Sequence, residues 1–178
     1  MSRRRLFALI PLVLPLLATA QKVAQDWFSV TEGDEYYFAV TLNESNSVLG
    51  QWCYFSSGNC VYLIGTTTAC EGENPYPILA NSDAGSQMLQ VKCGGAWTDN
   101  QGIKRYRYLF TAFDDIDSIV RKANSVGFAM PLQNGRFNVV RFTLNTSNAQ
   151  IDRMRASALA KMNSRGAKRG LDTHDTTL

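Results

Sequence analysis

Along most of this chain, apolar and polar positions alternate with a period of two, in runs of five to ten residues broken by Gly, Asn, Ser and Asp. The runs are rich in β-branched and aromatic residues, the composition of strands with one buried face. Nine strands are predicted: Trp27–Thr31, Glu35–Leu42, Val48–Phe55, Cys60–Gly65, Tyr76–Asn81, Gln87–Cys93, Lys104–Phe113, Val126–Leu132 and Arg136–Leu144. Turn sequences such as "TEGDE", "SSGN" and "LQNGRF" separate them. In the last, Asn134-Gly135 is the strongest hairpin signal, because a tight two-residue turn needs positive φ and these residues tolerate it.

Two segments change to a helical period. Asp114–Ser125 opens with Asp114, Asp115 and Asp117 and closes with Arg121 and Lys122, the charge order that a helix dipole favours. Its acids are read as capping groups; they lack the glycine and oxygen-ligand spacing of a calcium loop. Asn145–Gly166 begins near a Ser or Asn cap and sets Ile151, Met154, Ala158 and Met162 on one stripe. The fold class that follows is mainly β: an antiparallel β-sandwich or partly open barrel with two short helices, one of them C-terminal. Residues 21–162 are expected to form a single domain, and residues 163–178 a flexible C-terminal tail, since the chain turns Gly- and charge-rich there.

The amino terminus indicates a compartment. Arg3, Arg4 and Arg5 precede an apolar run from Leu6 to Leu17, and Ala18-Thr19-Ala20 forms a small-x-small cleavage site. About a dozen apolar residues interrupted by Pro11 and Pro15 are too few to span roughly 30 Å of hydrocarbon. Residues 1–20 are therefore read as a secretory signal cleaved near Ala20-Gln21, which places the mature protein in the periplasm or outside the cell. With no cysteine at that point, lipoprotein anchoring is not expected.

Export changes the charge balance. The chain carries 18 basic and 15 acidic residues, but three of the bases sit in the signal, leaving 15 of each. The distribution is uneven: 21–103 holds nine acids against Lys22 and Lys92, whereas 104–171 holds thirteen bases against four acids. The plain expectation is neutralisation of one half by the other across the fold. The candidate anion contacts Arg153, Arg155 and Lys161, on the polar side of the second helix, allow contact with a membrane surface.

Cys53, Cys60, Cys70 and Cys93 follow the spacing C-x6-C-x9-C-x22-C. An even count in an oxidising compartment argues for two disulfides. Zinc sites need close cysteine pairs or histidines, and the one histidine is His174, so no metal is expected. If "WCYF" and "CVYL" pair through a turn at "SSGN", a register that sets Tyr54 opposite Asn59 sets Cys53 opposite Cys60. Cys70 is then left for Cys93. Four cysteines allow three pairings, and this register favours that one.

What is missing constrains function further. One histidine in the tail leaves no Ser-His-Asp or Cys-His site, and there is no phosphate loop or dinucleotide fingerprint, so no cofactor is expected. An enzyme of this composition would be a periplasmic hydrolase working through carboxylates alone, drawing on Glu32, Asp34, Glu35, Glu71, Glu73 or Asp83. The long polar loop "ACEGENPYPILANSDAGS" is the candidate recognition surface, with Glu71, Glu73, Asp83 and Tyr76 between two prolines; a rigid loop of this kind also suits an inhibitor of an extracellular enzyme. "YRYLF" alternates Arg105 and Arg107 with Tyr106 and Tyr108, but an exported, disulfide-bonded chain argues against nucleic acid, and the alternation is that of a half-buried strand.

Within Val126–Met154, Pro131, Gly135, Arg141, Phe142, Leu144 and Ala149 follow an order of apolar strand, Pro- and Gly-containing turn, second strand ending in Arg-Phe-x-Leu, and small-residue helix. This segment resembles the closing part of the invasion-associated locus B family of exported bacterial proteins. The resemblance implies a small periplasmic or surface-associated β-sandwich with a role in host or envelope interaction, and it implies no catalytic residue. Together these readings describe an exported, disulfide-stabilised, non-enzymatic binding or envelope-interaction module whose partner is an unidentified protein or envelope component. Non-reducing mass spectrometry of the secreted protein is expected to find a chain starting at Gln21 with every cysteine oxidised; alkylation of two thiols would refute the pairing.

Overall fold

The computed structural model describes residues 26–132 and 134–172. The predicted signal, its cleavage point and His174 lie outside the described residues. Nine strands appear where the alternation places them: β1 (Phe28–Val30), β2 (Tyr36–Leu42), β3 (Val48–Tyr54), β4 (Cys60–Thr66), β5 (Tyr76–Ser82), β6 (Gly85–Thr98), β7 (Lys104–Phe110), β8 (Ser125–Pro131) and β9 (Phe137–Thr143). Of the two arrangements expected, hydrogen bonding gives one antiparallel sheet in the order β1-β2-β3-β4-β7-β6-β5-β8-β9, and it is not closed. Its two ends approach, with the Trp27 indole N–H donating to the Thr143 carbonyl at 3.0 Å.

The sheet curls around a single buried cluster. Tyr37, Ala39, Leu49, Tyr62, Ile64, Tyr108, Phe128 and Phe142 all point into it, drawn from strands across the whole sheet. Helix α1 (Phe113–Lys122) contributes Ile116, Ile119 and Val120. Helix α2 (Ser147–Asp172) contributes the expected stripe, with Ile151, Met154 and Ala158 fully buried and Met162 packed against the cluster. Burying Ile151 and Met154 stabilises the docked helix by about 2 kcal/mol each.

The second helix is not short. It runs 26 residues, well past the expected boundary at 162, and the predicted tail begins inside it. Arg165 shows why docking reaches this far: its guanidinium lies 4.9 Å from the Phe55 ring centroid, and Nη2 donates to the Asp34 carbonyl at 2.6 Å. Lys161 reaches the Asp34 carboxylate at 3.3 Å. These contacts cross between the acidic and basic halves of the chain, as does the 2.7 Å ion pair of Arg105 with Asp99.

Capping differs from expectation. No side chain caps α1. At the start of α2, the Ser147 hydroxyl donates to the Val120 carbonyl at 2.9 Å, tying one helix to the end of the other. No described helix is long and apolar enough to cross a membrane. Arg165→Ala is expected to cost about 1 kcal/mol, through the lost cation–π contact and exposed ion pair, and to lower the melting midpoint by about 3 °C in thermal denaturation. An unchanged midpoint would return the end of α2 to the tail.

Candidate functional site

Both disulfides follow the predicted pairing, Cys53–Cys60 and Cys70–Cys93, and no free cysteine remains among the described residues. Cys53 lies directly opposite Cys60 in the β3–β4 ladder. The Tyr54 N–H donates to Asn59 O at 3.0 Å, so the cysteines occupy the narrower kind of cross-strand position, with Cα atoms 4.0 Å apart. This staple fixes the register of the hairpin at the end of β3.

Beneath the helices, polar groups converge on Asp117. Its Oδ1 accepts from the Tyr62 hydroxyl and from Arg155 Nη2, both at 2.7 Å, and its Oδ2 accepts from Arg121 Nε at 3.0 Å. Arg155 Nε also donates to Gln51 Oε1 at 2.7 Å, and Arg121 continues to Asp152 at 2.9 Å. Burial pushes the Asp117 carboxyl up, but the Tyr62 hydrogen bond and the two guanidinium charges outweigh it and hold the group below its ordinary 3.8. Burial and the same hydrogen bond push the Tyr62 phenol far above its usual range. Asp117 is thus a structural anchor, where the sequence reading took it for a cap.

The other face of the same strands carries a different surface. Register places Phe28 and Val30 of β1, Tyr36, Phe38 and Val40 of β2, Trp52 and Tyr54 of β3, and Val61 and Leu63 of β4 on the side away from the helices. None of them belongs to the core cluster. Phe38 and Trp52 stack with centroids 5.9 Å apart at 20°, Tyr36 and Tyr54 lie 5.4 Å apart, and Tyr36 and Phe38 6.2 Å apart. The rings form a continuous, partly exposed aromatic surface. Burial raises the Tyr54 phenol, with the Arg107 charge acting against it.

The sequence "CGGAW" extends this surface. Gly94 and Gly95 oppose the single residue Arg107, a β-bulge between Cys93 and Ala96, and Gly95 takes a φ of 81°. The extra residue reverses the alternation, so Cys93 points into the core while Trp97 points out. Trp97 lies across Gly65, where any Cβ would collide with the indole. The Arg107 guanidinium carbon lies 4.8 Å from the Trp97 ring centroid, a cation–π contact.

At the Tyr54 end the surface runs into a cleft of about 430 Å³ shared by Asp34, Glu35, Tyr54, Phe55, Met162 and Arg165. Asp34 and Glu35 are the two hydrolase candidates that share a cleft, yet both face solvent and Asp34 is 89% exposed and ion-paired. An exposed, ion-paired carboxylate lacks the desolvation that prepares a general acid. Glu32 is exposed near the same turn.

The proposed recognition residues do not converge. Glu71 and Glu73 are exposed before β5, and Asp83 lies beyond its other end, roughly 20 Å along a seven-residue strand. Asp83 accepts from Asn124 Nδ2 at 2.7 Å and from the Ser125 N–H, and the Asn124 contact leads in holding its carboxyl low. Tyr76 is not a protruding aromatic; it packs edge-on to Tyr108, with centroids 6.3 Å apart, and burial raises its phenol. Of the candidate anion contacts, Arg155 and Lys161 are committed to Asp117 and Asp34, while Arg153 is exposed. Among the described residues no three His, Cys, Asp or Glu side chains cluster as metal ligands.

The aromatic face escaped the sequence reading, although a signal was present. "YYFAVTL" is apolar in both phases of its alternation, a pattern that belongs to a strand with two apolar faces. No family model, curated protein or solved structure matches the chain.

The Asp117 network predicts an acid dependence. Because its carboxyl is held below 3.8, the stability it contributes is complete above about pH 4 and is lost as pH falls through the lower folded value. Asp117→Asn should cost about 2–3 kcal/mol at neutral pH, with the gap to wild type closing as pH drops below 4. A gap that stays constant in melts from pH 2 to 7 would remove Asp117 from this role.

Proposed function

We propose that this protein is an exported, non-enzymatic binding module that takes its ligand on the outer face of β1–β4, β7 and the adjoining part of β6. The observation that carries this reading is the aromatic surface itself: Tyr36, Phe38, Trp52, Tyr54 and Trp97 lie on the side of the sheet opposite both helices, outside the core. Contiguous apolar surface of this sort marks interaction sites in soluble proteins, since leaving it in water forfeits about 25 cal/mol per Å² that contact would recover. Aromatic rings also give large contact area at low entropic cost.

Two further features support the reading. The disulfides fit an oxidising compartment and hold the strands that present the rings, Cys53–Cys60 closing the β3–β4 hairpin and Cys70–Cys93 fixing β6 one residue before the bulge. The resemblance of Val126–Met154 to the invasion-associated locus B family implies a role of the same class at the envelope. The carboxylate and Tyr76-loop alternatives find no convergent geometry in this fold.

The test is retention of the mature protein on isolated cell-envelope material. Wild type is expected to be retained, and Phe38→Ser with Trp52→Ser is expected to lower retention at least tenfold while a thermal melt still shows a folded protein. Equal retention of the two proteins would move binding off this face.

A further inference from the structure

We infer that the ligand of the aromatic face is an acidic polysaccharide, a chain of sugar rings bearing occasional carboxylate or phosphate groups. This rests on the binding-module reading and names its ligand class from charge. None of the nine strands contains an Asp or Glu, whereas Lys92 and Arg107 both point to the outer face, as their pairing with Leu109 and Gly65 fixes. Arg105, next along β7, is neutralised by Asp99; neither Lys92 nor Arg107 has a carboxylate partner among the described residues. Arg107 lies over Trp97, its guanidinium carbon 4.8 Å from the ring centroid, a cation–π contact that engages the ring face while guanidinium N–H groups remain the donors suited to a carboxylate or phosphate.

The ratio of rings to charges selects among anionic ligands. Six exposed or partly exposed rings, Phe28, Tyr36, Phe38, Trp52, Tyr54 and Trp97, accompany two unpaired cations. Single-stranded nucleic acid brings one phosphate per base and calls for a denser basic groove. Membrane insertion needs apolar side chains that project into the acyl region, whereas these rings lie packed against one another on the sheet. The same strands on a second copy of this chain would offer Lys92 and Arg107 no carboxylate, since none of them carries one. A saccharide offers apolar ring faces to stack on the aromatics, with sparse negative charge to reach the cations. At the Tyr54 end Asp34 and Glu35 are matched by Lys161 and Arg165, so the unbalanced positive charge of this face lies with Arg107 and Lys92.

Oligogalacturonate, its fully methyl-esterified form, oligo-dT and phosphatidylglycerol vesicles serve as probes in calorimetric titrations of the full mature protein. Oligogalacturonate is expected to bind, and its uncharged ester at least tenfold more weakly. Lys92→Gln with Arg107→Gln should reduce oligogalacturonate to the affinity of the ester. Trp52→Ala should weaken both saccharides about tenfold, and Tyr54→Leu provides the same readout if Trp52→Ala does not fold. Equal affinity for acid and ester, or tighter binding of oligo-dT or the vesicles, would overturn the inference. Absence of saccharide binding with envelope retention still dependent on Phe38 and Trp52 overturns the ligand class and leaves the module reading; loss of both results overturns both.

Discussion

One carboxylate determines how this sheet is used. Asp117 ties a residue of α1 to β4 through Tyr62, to α2 through Arg155, and onward to β3 through Gln51. Half-buried and surrounded by donors, it accepts from a phenol and pairs with Arg155, and it shares Arg121 with Asp152. Because this contact is polar and directional, it fixes the helices on one side of β3 and β4 more specifically than apolar packing of Ile116 or Ile151 would. The rest of the architecture follows from that choice of side.

With both helices on the concave side, the first four strands, β7 and the end of β6 are left with a second apolar face. Val40 and Leu63 are buried there by neighbouring side chains without belonging to the core, and Trp97 fills the space over Gly65. That face is therefore a packed layer in its own right. Its rings are held by one another and by the strands beneath, so the surface itself needs little ordering on contact.

Much of this fold was legible in the sequence, for identifiable physical reasons. Period-two alternation located all nine strands, and hairpin register in "WCYFSSGNCVYL" sufficed to pair Cys53 with Cys60. Three things were not legible. Trp97 faces outward because a two-glycine bulge reverses the alternation, and a bulge leaves no periodic trace from which its phase could be read. Tyr76 looked exposed between prolines, but its packing partner Tyr108 lies on β7, a strand brought near only by the sheet order. Asp117 looked like a helix-start acid because its partners Tyr62 and Arg155 are 55 and 38 residues away. In each case the deciding contact is tertiary, whereas the correct expectations rested on local pattern.

The two disulfides also determine what a cut in the chain would do. Ser56–Asn59, between Cys53 and Cys60, and residues 71–75, between Cys70 and Cys93, are entirely exposed, the kind of loop tip at which proteases nick folded domains. A single cleavage in either loop leaves both new ends covalently joined through the cystine on either side of it. The ring-bearing hairpin and the strand leading to the bulge would then remain in register after scission. Such a chain can be nicked without being dismantled.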